Sequence, residues 1–187
     1  MRKILVIGAV LLFAYSAFCQ DEIKYRHKSI FKELKKVAQI ENPVFNEINI
    51  PDSMNSQGYF QGKFFSVADK TGPGKVYLYI GRVNSCRAGG CSAPLSLSED
   101  IGPEYFDYFI ILDSTCTIRG IRVFNYQATH GQGVTARGWL KQFVGFNGSY
   151  KLEAGKNIDS ISGATVSVLG IISDIRQKTK MLKQVIQ

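Results

Sequence analysis

The sequence predicts an α+β fold, a mainly antiparallel β-sheet flanked by helices, in a single domain that follows an N-terminal signal peptide. Three observations predict it. Aromatic and β-branched runs bounded by Gly, Pro, Asp and Ser fill the middle of the 187-residue chain. Apolar residues recur at helical spacing near both ends of the mature part. Two of the runs, 105–112 and 117–126, stand at hairpin distance, and strands followed by flanking helices favour this class.

Residues 1–19 read as the signal peptide. Arg2 and Lys3 form a positive start, Ile4–Phe18 carries no charge, and Ser16–Asp21 turns polar. The apolar run is short for a permanent membrane span, which needs about 20 residues. Lipidation at Cys19 and retention as an anchor are the alternatives to cleavage, and the bulky Phe18 before Cys19 argues against lipidation. Export to the periplasm or the extracytoplasmic face of the envelope is therefore expected.

Residues 20–56 form an N-terminal helical and extended segment. Ile23, Ile30, Leu34 and Val37 predict an amphipathic helix over 22–39, with a lysine-rich opposite face. Pro43 and Pro51 bracket an extended piece over 44–50. Residues 57–187 form the main domain. Strands are expected at 58–67, 74–83, 105–112 and 117–126, with a turn at Asp113-Ser114 joining the last two. Residues 134–143 suggest a short helix carrying Trp139, Leu140 and Phe143. Residues 164–186 form the clearest helix, with Leu169, Ile172, Ile175, Leu182 and Val185 as its apolar stripe.

Composition excludes several classes. Apolar residues make up 45% and charged residues 20%, which rules out a disordered chain, a collagen-like repeat and a disulfide-dense miniprotein. The formal charge of +8 falls to +6 without Arg2 and Lys3. That favours anionic partners without arguing for nucleic acid. An exported chain can keep disulfides. Cys86 and Cys91 flank a Gly-Gly turn and are expected to pair, with a redox-active pair as the sharper alternative. Cys116 is expected as a buried free thiol. Three mature cysteines fall short of a four-ligand zinc or iron–sulfur site.

The segment before the last helix carries the chemistry. Asp159-Ser160-Ile161-Ser162-Gly163-Ala164-Thr165-Val166-Ser167 is a helix entrance of small and hydroxylated residues. Ser160 or Ser162 can cap the helix. Gly163 and Ala164 leave room for a ligand near the backbone. Amide N–H groups of the first turn have no partner within the helix, and they favour an anion, above all a phosphate. Thr165 places a hydroxyl beside that position.

Asp159, Ser162, Gly163, Ala164, Thr165 and Ser167 fill all six specified places of a motif Asp-x-x-(Ser/Thr)-Gly-Ala-(Ser/Thr)-x-(Ser/Thr). A chance match in this length is on the order of 1 in 10,000 at average residue usage. The segment resembles the flavinylation motif of the FMN-binding domain family, typified by the G subunit of the Rnf complex and the C subunit of sodium-translocating NADH:quinone reductase. The resemblance spans roughly residues 75–187. Upstream, Thr129-His130-Gly131-Gln132-Gly133 and Gln142-Phe143-Val144-Gly145 are similar to two further family segments, although Ala128 stands where the family carries Glu.

The resemblance implies FMN joined to Thr165 by a phosphoester, made by a separate flavin transferase that uses FAD and Mg²⁺. It implies that Thr129 and Gly131 bring backbone against the flavin, with plain turn chemistry as the alternative. Trp139 is a candidate for stacking on the ring, with a core position as the alternative, and His130 is a candidate for tuning it, with an ordinary turn histidine as the alternative. The function so expected is an electron carrier working with a membrane or extracytoplasmic redox partner, rather than an enzyme with its own substrate. A flavin-dependent reductase of a small acceptor or quinone, and a flavin-free binding module, are the alternatives.

Overall fold

The computed structural model describes residues 22–51, 54, 61–72, 74–85 and 104–186. The expected signal peptide and the Cys86–Cys91 pair lie outside the described residues. The elements in order are helix α1 (Lys28–Ala38), strands β1 (Pro43–Ile48), β2 (Gly62–Asp69), β3 (Lys75–Asn84), β4 (Tyr105–Leu112) and β5 (Ile118–Tyr126), helix α2 (Arg137–Leu140) and helix α3 (Thr165–Ile186). Single 3₁₀ turns flank α2 at Gln132–Thr135 and Lys141–Phe143. The strands form one five-stranded antiparallel sheet in the order β1-β2-β3-β4-β5, a meander in which each strand pairs with its sequence neighbours. The α+β class read from the sequence is the one observed.

Helices cover both faces of the sheet, and β4 records this residue by residue. All eight of its positions are buried. Side chains alternate across a strand. Phe106, Tyr108, Ile110 and Leu112 join the core beneath α3, while Phe109 and Ile111 join the core beneath α1. Each fully buried aliphatic side chain contributes about 1.5–3 kcal/mol relative to exposure. The α1 face is the smaller core, built around Ile30, Leu34, Val67, Leu78 and Ile80.

Helix α1 begins at Lys28, later than the periodicity suggests. His27 caps it, its Nδ1 accepting from the Ser29 amide at 3.3 Å, so Ile23 packs on the core from outside the helix. The short helix expected at 134–143 divides into 3₁₀, α and 3₁₀ turns. The apolar stripe of α3 also differs from the expected one. Leu169 is exposed, and Ala164, Val168, Ile171, Ile172, Ile175, Met181 and Leu182 are buried. The sheet meets the helix along the 164/168/171/175 line, so a leucine one residue off that line turns to solvent.

Two buried polar clusters were not legible in the sequence. Arg82 on β3 donates to both carboxylate oxygens of Asp107 on β4, at 2.6 and 3.0 Å, and its guanidinium lies over the Tyr105 ring. Asn125 donates to the same carboxylate at 2.8 Å. Beneath α3, Asp174 accepts from Tyr108 Oη at 2.7 Å and pairs with Lys178 at 3.2 Å. Burial pushes the Asp174 carboxyl upward, opposed by Lys178 and by the hydroxyl hydrogen bonds. Cys116 is buried and free, as expected, and burial pushes its thiol up.

Candidate functional site

Five separated pieces of the chain meet at one end of the sheet: Ser85 after β3, Glu104 before β4, Tyr126 at the end of β5, the turn 129–133, and the segment 159–167 that enters α3. Ser85 N donates to the Glu104 carbonyl at 2.8 Å, which brings the ends of β3 and β4 together. Ser85 Oγ and the buried Ser167 Oγ are hydrogen-bonded at 2.7 Å. The α3 entrance is thereby fixed to the sheet within its first turn.

The turn 129–133 is held from several sides. Thr129 Oγ1 donates to Glu104 Oε1 at 2.6 Å. Its single proton is then spent, so it accepts from His130 Nδ1 at 2.9 Å, and that nitrogen carries the hydrogen. Tyr126 Oη donates to the His130 carbonyl. Burial raises the Tyr126 phenol, while hydrogen bonds with Ser167 and Ser85 act the other way. Gly131 has φ +86°, and a Cβ there would lie 2.6 Å from Ser167 Oγ and 3.4 Å from the Ala164 methyl. Only glycine fits both the backbone and the gap. Gly133 touches the second segment in the same manner, since a Cβ would meet Ile161 Cγ2 at 2.8 Å. Ala128 supplies no carboxylate, but one reaches the turn from Glu104.

The segment 159–163 is clasped by α2 and the turn after it. Trp139 Nε1 donates to the Asp159 carbonyl at 2.8 Å, and Gln142 Oε1 accepts from the Asp159 amide at 2.8 Å. Trp139 is buried, edge-on to Phe143. It therefore acts as a prop beneath the segment, and its ring is not presented for stacking. Neither Ser160 nor Ser162 occupies the helix cap. Ala164 holds that position, with its carbonyl accepting from Val168 N at 2.9 Å and its amide donating to Ile161 O at 3.1 Å. The turn between needs Gly163 at φ +73°, a left-handed conformation that leaves both serines outside capping position.

Thr165 is the first residue of the 22-residue α3 and is exposed. Among the described residues, nothing beyond its chain neighbours lies within 4 Å of where a Cβ on Gly163 would stand. An exposed hydroxyl, open space beside it, and first-turn amides without partners inside the helix together fit an FMN phosphate. Asp159, Ser162, Gly163, Ala164, Thr165 and Ser167 all lie on this one entrance, and Thr129 and Gly131 lie on the turn packed against it. Sequence reasoning missed Ser85, Glu104 and Tyr126, which no local motif marks. It also gave Gln142 no role, although its Gln-Phe-x-Gly setting had been noted. No group of three or more potential metal-ligating side chains occurs among the described residues.

Residues 106–178 match the family model of the FMN-binding domain. The match runs from β4 to the middle of α3 and contains both turns, while Ser85 and Glu104 stand outside it. The match supports a flavin-binding protein as the class, over narrower limits than the sequence resemblance implies. No match was found among curated proteins or among solved structures.

Proposed function

We propose that this protein is an exported flavoprotein that carries electrons through FMN attached covalently to Thr165. The carrying observation is the contrast between the motif hydroxyls at the start of α3. Ser167 is buried and hydrogen-bonded to Ser85, whereas Thr165 is exposed beside the open space at Gly163. Thr165 Oγ1 is an exposed hydroxyl able to become an ester oxygen, and it stands on the first turn of α3, whereas the exposed Ser162 lies before the helix. Attachment by a separate transferase forms the Thr165 Oγ1–phosphorus bond, breaks the pyrophosphate bond of FAD and releases AMP, with Mg²⁺ neutralising the phosphates.

When bound, FMN supplies the redox chemistry, and the chain supplies tether, orientation and electrostatics. The amides of Thr165, Val166 and Ser167 would hold the phosphate, with the helix dipole behind them. Trp139 and Gln142 keep the 159–163 turn in place, and Glu104 and Tyr126 keep the 129–133 turn against it. A covalent tether suits an exported carrier, because free FMN would diffuse away. The apolar leader at residues 4–18 supports export, and among the described residues no helix is long and apolar enough to cross a membrane. The proposed partners are the flavin transferase and a membrane or extracytoplasmic redox protein.

The test is the intact mass of the protein from a host that has the transferase. Wild type should carry one FMN less water, and Thr165→Ala should be folded, colourless and without that mass. A Thr165→Ala protein that keeps covalent flavin would move the attachment elsewhere, first to the exposed Ser162. Wild type without flavin from such a host would overturn the covalent reading.

A further inference from the structure

A second concave site lies between α1, β5 and α2, and its lining is strongly one-sided in charge. Lys36 from α1, Arg119 and Arg122 from β5, and Arg137 and Lys141 from α2 and its end place five cations around a groove of about 590 Å³. Among the described residues Glu33 is the one carboxylate in the lining, and it is already committed to Arg122 at 2.9 Å and, more loosely, to Lys36 at 3.9 Å. Arg119 is drawn to Asp113 at 2.6 Å, at the rim. No ion pair engages Arg137 or Lys141 among the described residues, and both are exposed.

The backbone makes room there. Among the described residues, nothing lies within 4 Å of a would-be Cβ on Gly138, so the wall formed by α2 is bare at its middle. Gly120 brings β5 close beneath α1, where a Cβ would meet Glu33 Cγ at 3.3 Å and Val37 at 3.4 Å. Trp139 and Leu140 fill the opposite side of α2 with core contacts, so the helix is anchored while Arg137 and Lys141 face the groove. Converging like charges repel one another, and an arrangement of this kind is stabilised by an anion seated among them. Guanidinium groups match phosphate and carboxylate oxygens in two-point geometry. The volume falls within the range of small-molecule sites, about 300–1,000 Å³.

From these observations we infer that the groove is a binding site for a small polyanion bearing two or more phosphate or carboxylate groups. Neither Trp139 nor Gln142, which hold the 159–163 turn, lines the groove, and the inference stands independently of the flavin reading. Arg122, fixed by Glu33, provides the rigid contact, and Arg137 and Lys141 close on the ligand from the other wall.

Inorganic triphosphate and citrate are the probes, titrated calorimetrically against the full chain at about 0.15 M ionic strength, where the Debye length is about 8 Å and diffuse attraction is screened. Saturable one-to-one binding is expected, and the tighter probe identifies the preferred acid group. Arg137→Gln combined with Lys141→Gln should weaken it at least tenfold. Gly138→Leu, which fills the groove without changing charge, should do the same. Lys32→Gln combined with Lys180→Gln removes as much charge elsewhere and should change affinity less than threefold. Equal loss in that control, or unchanged binding in Gly138→Leu, would overturn the inference. So would absent triphosphate and citrate binding beside retained binding to anionic lipid vesicles, which would assign the charges to a surface rather than a site.

Discussion

Gly131 and Gly163 stand on two turns that meet at the start of α3, and both have left-handed φ, +86° and +73°. Their surroundings are opposite. Gly131 is wedged against Ser167 Oγ, Tyr126 Oη and the Ala164 methyl, whereas among the described residues Gly163 has nothing within 4 Å of a Cβ. One glycine lets two pieces of protein touch, and the other leaves space that the described residues do not fill. A shared residue type and shared backbone conformation thus serve packing in one turn and leave open space beside Thr165 in the other. The difference teaches where tolerance to change should lie: the 129–133 turn answers to stability, the 159–163 turn to cofactor loading.

The strongest break in this comparison is Gly131→Ala. The substitution combines left-handed strain with an overlap that can be relieved only by disturbing the buried Ser85–Ser167 hydrogen bond, so about 3 kcal/mol of stability should be lost. Urea unfolding measures it, and a loss below about 1 kcal/mol would show the turn to be looser than its contacts imply. Tyr126→Phe comes next. It removes the hydroxyl that holds the His130 carbonyl while keeping the ring stacked near Phe106, and it should cost about 1–2 kcal/mol in the same assay. Covalent flavin should still form in it, since Thr165 is untouched.

Gly163→Ala carries the strain without the overlap, so about 1 kcal/mol is expected. Its diagnostic effect is a lower fraction of protein with the FMN mass adduct, and full loading would remove Gly163 from the access route. Gln142→Leu should be the mildest. It leaves the Asp159 amide without its acceptor, costing about 1 kcal/mol or less where water can replace the bond at this exposed turn. Amide exchange at Asp159 should rise in this variant, and unchanged protection would show that Trp139 alone holds the turn.

The legible part of the fold followed from local patterns. The run 105–112 matches β4 at both ends, because a strand buried on both faces writes a nearly continuous apolar run, and 117–126 matches β5 to within one residue through its β-branched and aromatic content. The helix at 164–186 was legible from its periodicity and its small-residue entrance. Errors arose where a neighbour decided the outcome. Leu169 fits a helical stripe, but the sheet meets α3 along another line and leaves it exposed. Ser160 and Ser162 are good capping residues, but the left-handed turn at Gly163 hands the position to Ala164. Trp139 looks like a stacking ring, yet its indole is spent on Asp159 and Phe143.

By itself the sequence determined the sheet-forming segments, the two main helices and the hydroxyl-rich entrance that carries the FMN-binding motif. These rest on interactions among residues a few positions apart, whose spacing is written in the chain. Tertiary structure alone decided that Ser167 is spent on a distant partner while Thr165 stays exposed. Ser85 reaches Ser167 across 82 positions of sequence and Glu104 reaches Thr129 across 25. Such pairings depend on how the ends of β3, β4 and β5 are brought together by the meander, and a short polar residue carries no periodic mark of the distant partner it will meet.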